Sequence, residues 1–285
     1  MRPRPILSDV PTVSFAVLLL ALGTHAALKA LFFWRPYQLH VALPMEAATG
    51  GLVTTVTLAG LISWAVLVGL VVMGVGRLRT ADLGLTRAAL TEALPVLLGL
   101  WLLTQVAQVL LGSAGGGATT LGGTPGGWLA AVGTRLQAVV GSGLLEETLY
   151  RGFLLVQVYA FARRRVDRDR ALTWALVASS VYFGLNHIPA GLRSGLPLAE
   201  TLVFAGHSAL VGGLFAVLFL RTGNLFVAAG AHALINDPVA LVVTAVDPSL
   251  VVLVAASGLM LGWPTLARWA GRFVSVGTVE GRPAL

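Results

Sequence analysis

Eight stretches of this 285-residue chain are long and apolar enough to cross a lipid bilayer, falling roughly at 11–34, 51–76, 93–112, 128–160, 171–188, 199–220, 225–245 and 248–266. About 20 apolar residues suffice for one crossing. Inside hydrocarbon a backbone must satisfy its own N–H and C=O groups, and a continuous apolar run does so as a helix. The expected fold is therefore all-α, a polytopic membrane helical bundle of about eight transmembrane helices. Composition agrees, because a chain that is 56% hydrophobic and 11% charged, with mean hydropathy +0.86, carries more apolar surface than one soluble core of this length could hide.

Between the runs the chain changes character. The segment 77–92 is polar enough to leave the hydrocarbon and is expected to lie at the surface as an amphipathic connector. The Gly-rich run 112–127 reads as a flexible loop, and 273–285 as a disordered tail. No internal repeat is evident. Three parts follow: 1–127 with the N-terminal transmembrane helices, connector and Gly-rich loop; 128–245 as a central core of helices; and 246–285 with the final transmembrane helix and a short cytoplasmic tail. The first run follows Arg2 and Arg4, as in a signal peptide, but continues past Phe33 without a small-residue cleavage site, so a retained span is expected.

Charge placement gives an orientation. Alternate loops hold Arg2 and Arg4; Arg77, Arg79 and Arg87; Arg163, Arg164, Arg165, Arg168 and Arg170; Arg221; and Arg268, Arg272 and Arg282, whereas the loops between them hold Arg35 and Arg193. The positive-inside rule then puts both termini in the cytoplasm. The net charge of +7 serves this orientation and gives no reason to expect a nucleic-acid partner; the expected partners are the lipid bilayer and a membrane-associated protein or peptide. The absence of cysteine excludes disulfides, thiolate nucleophiles and thiolate metal sites, leaving His, Glu, Asp and hydroxyls for chemistry.

Ionised groups inside a span are costly, and are a functional-site hypothesis by default. Glu146, Glu147 and Arg151 lie in LLEETLYRGFLL. Residues four apart share a helix face, so Glu147 is expected to pair with Arg151, leaving Glu146, about 100° away around the helix, without a partner nearby in sequence. Glu146 lies 17 residues before Arg163 and His187 lies 17 after Arg170, so a hairpin turned at RRRVDRDR sets both at one height. Pro189 and Gly191 are expected to end the helix just beyond His187. His232 and Asn236, four apart, offer two donors to a developing oxyanion, although His and Asn also serve simply to join membrane helices. Asp237–Pro238 marks a kink or break. His207 is assigned a structural or supporting role. His25 and Lys29 have no carboxylate within reach in sequence; Lys29 is expected to snorkel to the outer interface, and neither is counted as catalytic.

EETLYR at 146–151, FGLNH at 183–187 and HALIN at 232–236 match the EExxxR, FxxxH and HxxxN/D motifs of the CAAX prenyl protease and bacteriocin-processing family, also called Abi proteins. The chain resembles that family of intramembrane endopeptidases over about 128–240. The resemblance implies that Glu146 activates the hydrolytic water, that His187 helps to hold it, and that His232 and Asn236 stabilise the oxyanion. Glu147, Arg151 and Phe183 would support them. One Glu and two His, namely Glu146, His187 and His232, also make the ligand set of a zinc hydrolase with Glu147 as base. A divalent metal and a metal-free, glutamate-activated water thus both stand open.

Two other classes compete with the protease: a peptide-binding or bacteriocin-immunity protein using the same cavity without cutting, and a proton-coupled transporter. Transport is disfavoured by the lack of inverted repeats. The Arg-, Gly-, Ala- and Leu-rich usage looks bacterial, so the expected location is the bacterial cytoplasmic membrane.

Overall fold

The computed structural model describes residues 7, 10–114, 120–121 and 127–276. Eight principal helices follow one another: α1 (Phe15–Phe33), α2 (Thr55–Val75), α3 (Arg87–Ala114), α4 (Gly127–Ala162), α5 (Arg168–Leu185), α6 (Leu198–Thr222), α7 (Leu225–Asn236) and α8 (Pro248–Val276). Their starts follow from capping side chains that accept otherwise unsatisfied backbone N–H groups: Ser14 from Val17, Thr54 from Thr57, Asp167 from Arg170 and Asn224 from Phe226. Gly223, at φ 67°, ends α6 in the left-handed conformation that glycine adopts without strain.

Among the described residues, six helices are long and apolar enough to cross a membrane: those built on α1, α2, α3, α4, α6 and α8. The expected count of about eight is not reached on that measure. Helix α5 opens with Arg168, Asp169 and Arg170, and α7 has 12 residues, or about 18 Å at 1.5 Å per residue, against a hydrocarbon core of about 30 Å. The expected span 225–245 is thus a short helix followed by extended chain. Asp237–Pro238 is where it breaks, with Asp237 at φ −148°. Irregular backbone at this depth needs internal partners, and α3 supplies them. Trp101 Nε1 donates to Val239 O at 3.2 Å, Gln105 Oε1 accepts from Leu241 N at 2.9 Å, and Gln108 Nε2 donates to Val246 O at 3.2 Å. Val242–Val243 also pairs antiparallel with Thr120–Leu121.

Two further expectations are corrected. Residues 77–92 are not one connector lying at the surface: 87–92 already belong to α3, and the part before them packs inward. Leu78 and Leu83 are buried, and a short 3₁₀ turn at Thr80–Leu83 presses its backbone onto Gly152 of α4, where a Cβ would stand 2.6 Å from Leu83 O. Their leucines find apolar surface on α4, which outweighs the polarity of their neighbours. The helix bearing His187 ends at Leu185, before the histidine; His187 caps the next short helix, Ile188–Arg193, whose first turn holds Pro189. The remainder of the Gly-rich run and the expected tail beyond 276 lie outside the described residues.

Helix α4 is the hub. Gly60 of α2 meets Gly141 so closely that a Cβ would lie 2.6 Å from its Cα, a small-residue crossing typical of membrane helices. Ser179 of α5 donates to Tyr150 O at 2.8 Å, fixing the α4–α5 hairpin. Gln157 reaches the chain before α1, accepting from Val13 N at 2.9 Å and donating to Pro11 O at 3.1 Å. Around Leu145–Glu147 the helix is not uniformly α: Gln137–Leu144 and Thr148–Leu155 wind as wider π turns, a form enriched at functional sites.

Candidate active site

Glu147 and Arg151 form the expected pair, with Arg151 Nη1 donating to Glu147 Oε1 at 2.8 Å and both side chains fully buried. The guanidinium is further held by Gly212 O of α6. The rings of Phe183, Phe215 and Tyr150 lie 4.8, 5.6 and 5.6 Å from its Cζ, within cation–π range. Gly212 has to be glycine here because a Cβ would come within 3.1 Å of Arg151 Nη2 and 2.9 Å of Phe183.

The same Glu147 oxygen takes a second contact, from His232 Nδ1 at 2.9 Å. The arginine-bound carboxylate oxygen accepts, so His232 Nδ1 is the donor to it, and Nε2 is the ring nitrogen turned toward Glu146. Phe215 stacks on the His232 ring with centroids 4.7 Å apart and planes 17° from parallel, fixing its plane. His187 is tied in the same sense: its Nδ1 lies 2.8 Å from Phe183 O, a carbonyl that can only accept, so Nε2 is the free acceptor. Phe183 packs one turn before His187 as expected, the rings 4.7 Å apart.

Glu146 stands apart from this knot. Its Oε2 lies 3.9 Å from His232 Nε2, and its Oε1 lies 3.8 Å from Lys29 Nζ on α1. The carboxylate expected to lack a partner therefore has one, and Lys29 turns inward instead of running to the interface. The α1 position follows from His25, whose ring packs edge-on against Tyr150 and Tyr182, centroids 5.8 Å from each. Tyr182 Oη in turn donates to Leu22 O at 3.3 Å.

One cavity of about 330 Å³ joins Ser142, Glu146, His187, His232, Asn236 and Asp237, so the four residues expected to act together are brought together. Asn236 Nδ2 donates to Ser142 Oγ at 3.1 Å. His232 Nδ1, for its part, is engaged by Glu147. His207 lies on an exposed face of α6 and does not line this cavity. Among the described residues no group of three or more His, Asp or Glu side chains is arranged to hold a metal ion; Glu146, His187 and His232 do not fit a three-ligand metal site as they stand.

Three contributors are absent from the sequence reading, namely Ser142, Gly212 and Arg135, the last paired with Asp237 at the end of α7, and a fourth, Lys29, was set aside there as non-catalytic. Lys29 and Arg135 carried a usable signal, because both are charges inside apolar runs, as Glu146 and Glu147 are. Ser142 and Gly212 carried none.

Residues 126–236 match the family model described as type II CAAX prenyl endopeptidase Rce1-like, which agrees with the family resemblance carried by the three motifs. No curated protein and no solved structure matches the chain.

Proposed function

Taking that family match as premise, we propose that the protein is an intramembrane endopeptidase that hydrolyses a peptide bond of a membrane-associated protein or peptide with a water activated by Glu146. The observation that carries this reading is the contrast at Glu146 and His232: a carboxylate oxygen and an imidazole lone pair 3.9 Å apart, both bordering one cavity. Glu146 accepts a proton from a water there as the oxygen attacks the carbonyl carbon, and His187 Nε2 accepts the water's other hydrogen bond and orients it. Asn236, one turn beyond His232 on α7, donates to the oxyanion. His232 begins as an acceptor. Once it gains the proton from Glu146 it becomes an imidazolium, stabilised by Glu147 as an aspartate stabilises histidine in a serine-protease triad, and its Nε2–H delivers that proton to the leaving amine. The balance closes with a carboxylic acid, an amine and the starting enzyme.

The test is cleavage profiling of the purified protein in lipid nanodiscs against membrane-anchored peptides, prenylated and unprenylated, with products read by mass spectrometry. Wild type is expected to cut at an internal bond. Glu146→Gln is expected to lose about 10²–10⁴-fold in rate, the range of general acid–base catalysis, while remaining folded. A wild-type protein that cuts none of them, or a Glu146→Gln variant that cuts normally, overturns the reading.

A further inference from the structure

The chain holds a single lysine, Lys29, among 19 basic residues, and that lysine is the residue facing Glu146. Resting on the protease reading above, we propose that Lys29 is a positioning residue that clamps one oxygen of Glu146 and so leaves the other turned to the cavity and His232. It lies on α1, outside the matched segment 126–236.

The geometry divides the carboxylate in two. Oε1 faces Lys29 Nζ at 3.8 Å and Oε2 faces His232 Nε2 at 3.9 Å. Glu146 and Lys29 side chains are 15% and 28% exposed, so the attraction acts in a region poorly screened by water. The residue type matters as much as the charge. An arginine fork binds both oxygens of a carboxylate, whereas an ammonium is a point charge that leaves one free. Arg151 meets Glu147 through Nη1 alone, on the Oε1 that His232 shares; Lys29 likewise faces one oxygen of Glu146, and there the other oxygen borders the cavity. Nor is Lys29 there by chance of a mobile helix. His25, one turn earlier, is wedged between Tyr150 and Tyr182. His25, Lys29 and Glu146 together border a small cavity of about 70 Å³ behind the carboxylate.

A lone lysine permits a direct experiment on the full chain. Dimethylation with ¹³C-formaldehyde keeps the positive charge and gives one lysine side-chain NMR signal, separable from the α-amine. That signal is expected to shift between wild type and Glu146→Gln; an unmoved signal overturns the pairing. In the cleavage assay, Lys29→Met is expected to lower kcat by about 10²-fold, the scale of an ångström's misplacement, with KM changed less than about twofold, because the lysine acts on the carboxylate and not on peptide binding. Lys29→Arg, which keeps the charge and therefore the fold, is expected to lower kcat at least about tenfold by engaging both oxygens. Lys29→Arg also decides the matter if Lys29→Met does not fold. Wild-type kcat in either folded variant overturns the inference while leaving the protease reading intact. A wild type that cuts nothing sinks the protease reading itself, and the NMR signal still reports the ion pair.

Discussion

Glu146 and Glu147 are neighbours in sequence and opposites in surroundings. Glu147 is sealed, with Arg151 at 2.8 Å and His232 at 2.9 Å sharing one of its oxygens. Glu146 is partly open, with Lys29 Nζ and His232 Nε2 at 3.8 and 3.9 Å, beyond direct hydrogen-bond distance. The difference separates holding from reacting. A fully buried carboxylate held by short charge-assisted bonds is out of a substrate's reach and loses much if disturbed; a carboxylate held loosely at the edge of a cavity can take up a proton and release it. The fourth helix presents both from adjacent positions, so a single element carries the locked carboxylate and the one to which the proposed mechanism assigns the proton.

The largest expected effect falls on the sealed side. Glu147→Ala leaves Arg151 buried without its counter-ion, and removing one member of a buried pair costs about 3–5 kcal/mol; thermal melting in detergent should show a large loss or no folded protein. The double variant Glu147→Leu/Arg151→Met removes both charges and should recover most of that stability while remaining inactive, because His232 loses the acceptor that sets its tautomer. A folded, active double variant would erase the distinction between the two glutamates. Next in size is Asn236→Ala, which removes the proposed oxyanion donor and is expected to lower kcat by about 10²–10³-fold with melting unchanged; an equal loss in melting temperature would make Asn236 a helix-joining residue instead. The smallest is Ser142→Ala. It removes the acceptor that orients the Asn236 amide, worth about 1 kcal/mol, and should slow turnover by roughly fivefold; an unaltered rate would show that Asn236 needs no guide.

Much of this was legible in the chain. Intramembrane charge singles out Glu146, Glu147 and Arg151, and their pairing follows from four-residue spacing. The hydropathy runs locate the long helices because the bilayer imposes a minimum length. What hydropathy could not see was local. It extended the seventh run through Asp237–Pro238 to residue 245, because Val, Ala and Leu are apolar whether helical or extended, and only the polar side chains of Trp101, Gln105 and Gln108 reveal that the backbone there needed outside partners. It carried the fifth run past His187, where the chain turns two residues earlier. The tautomer of His232 was also invisible, since it depends on which atom Glu147 reaches across the bundle. Lys29 was set aside for want of a carboxylate near it in sequence, although contacts between α1 and α4 are made in space.

Glu146 borders two voids of unequal size, about 70 Å³ toward α1 and about 330 Å³ toward α7. The smaller has room for a few water molecules, each needing some 10–15 Å³ of such space, and for no peptide. Hydrolysis in a membrane has a supply problem that soluble hydrolases do not share: one reactant is scarce in hydrocarbon and the other must occupy the site. A carboxylate set in the partition between a water-sized chamber and a peptide-sized one can be served from both sides at once, so the bulky reactant need not block the road of the small one.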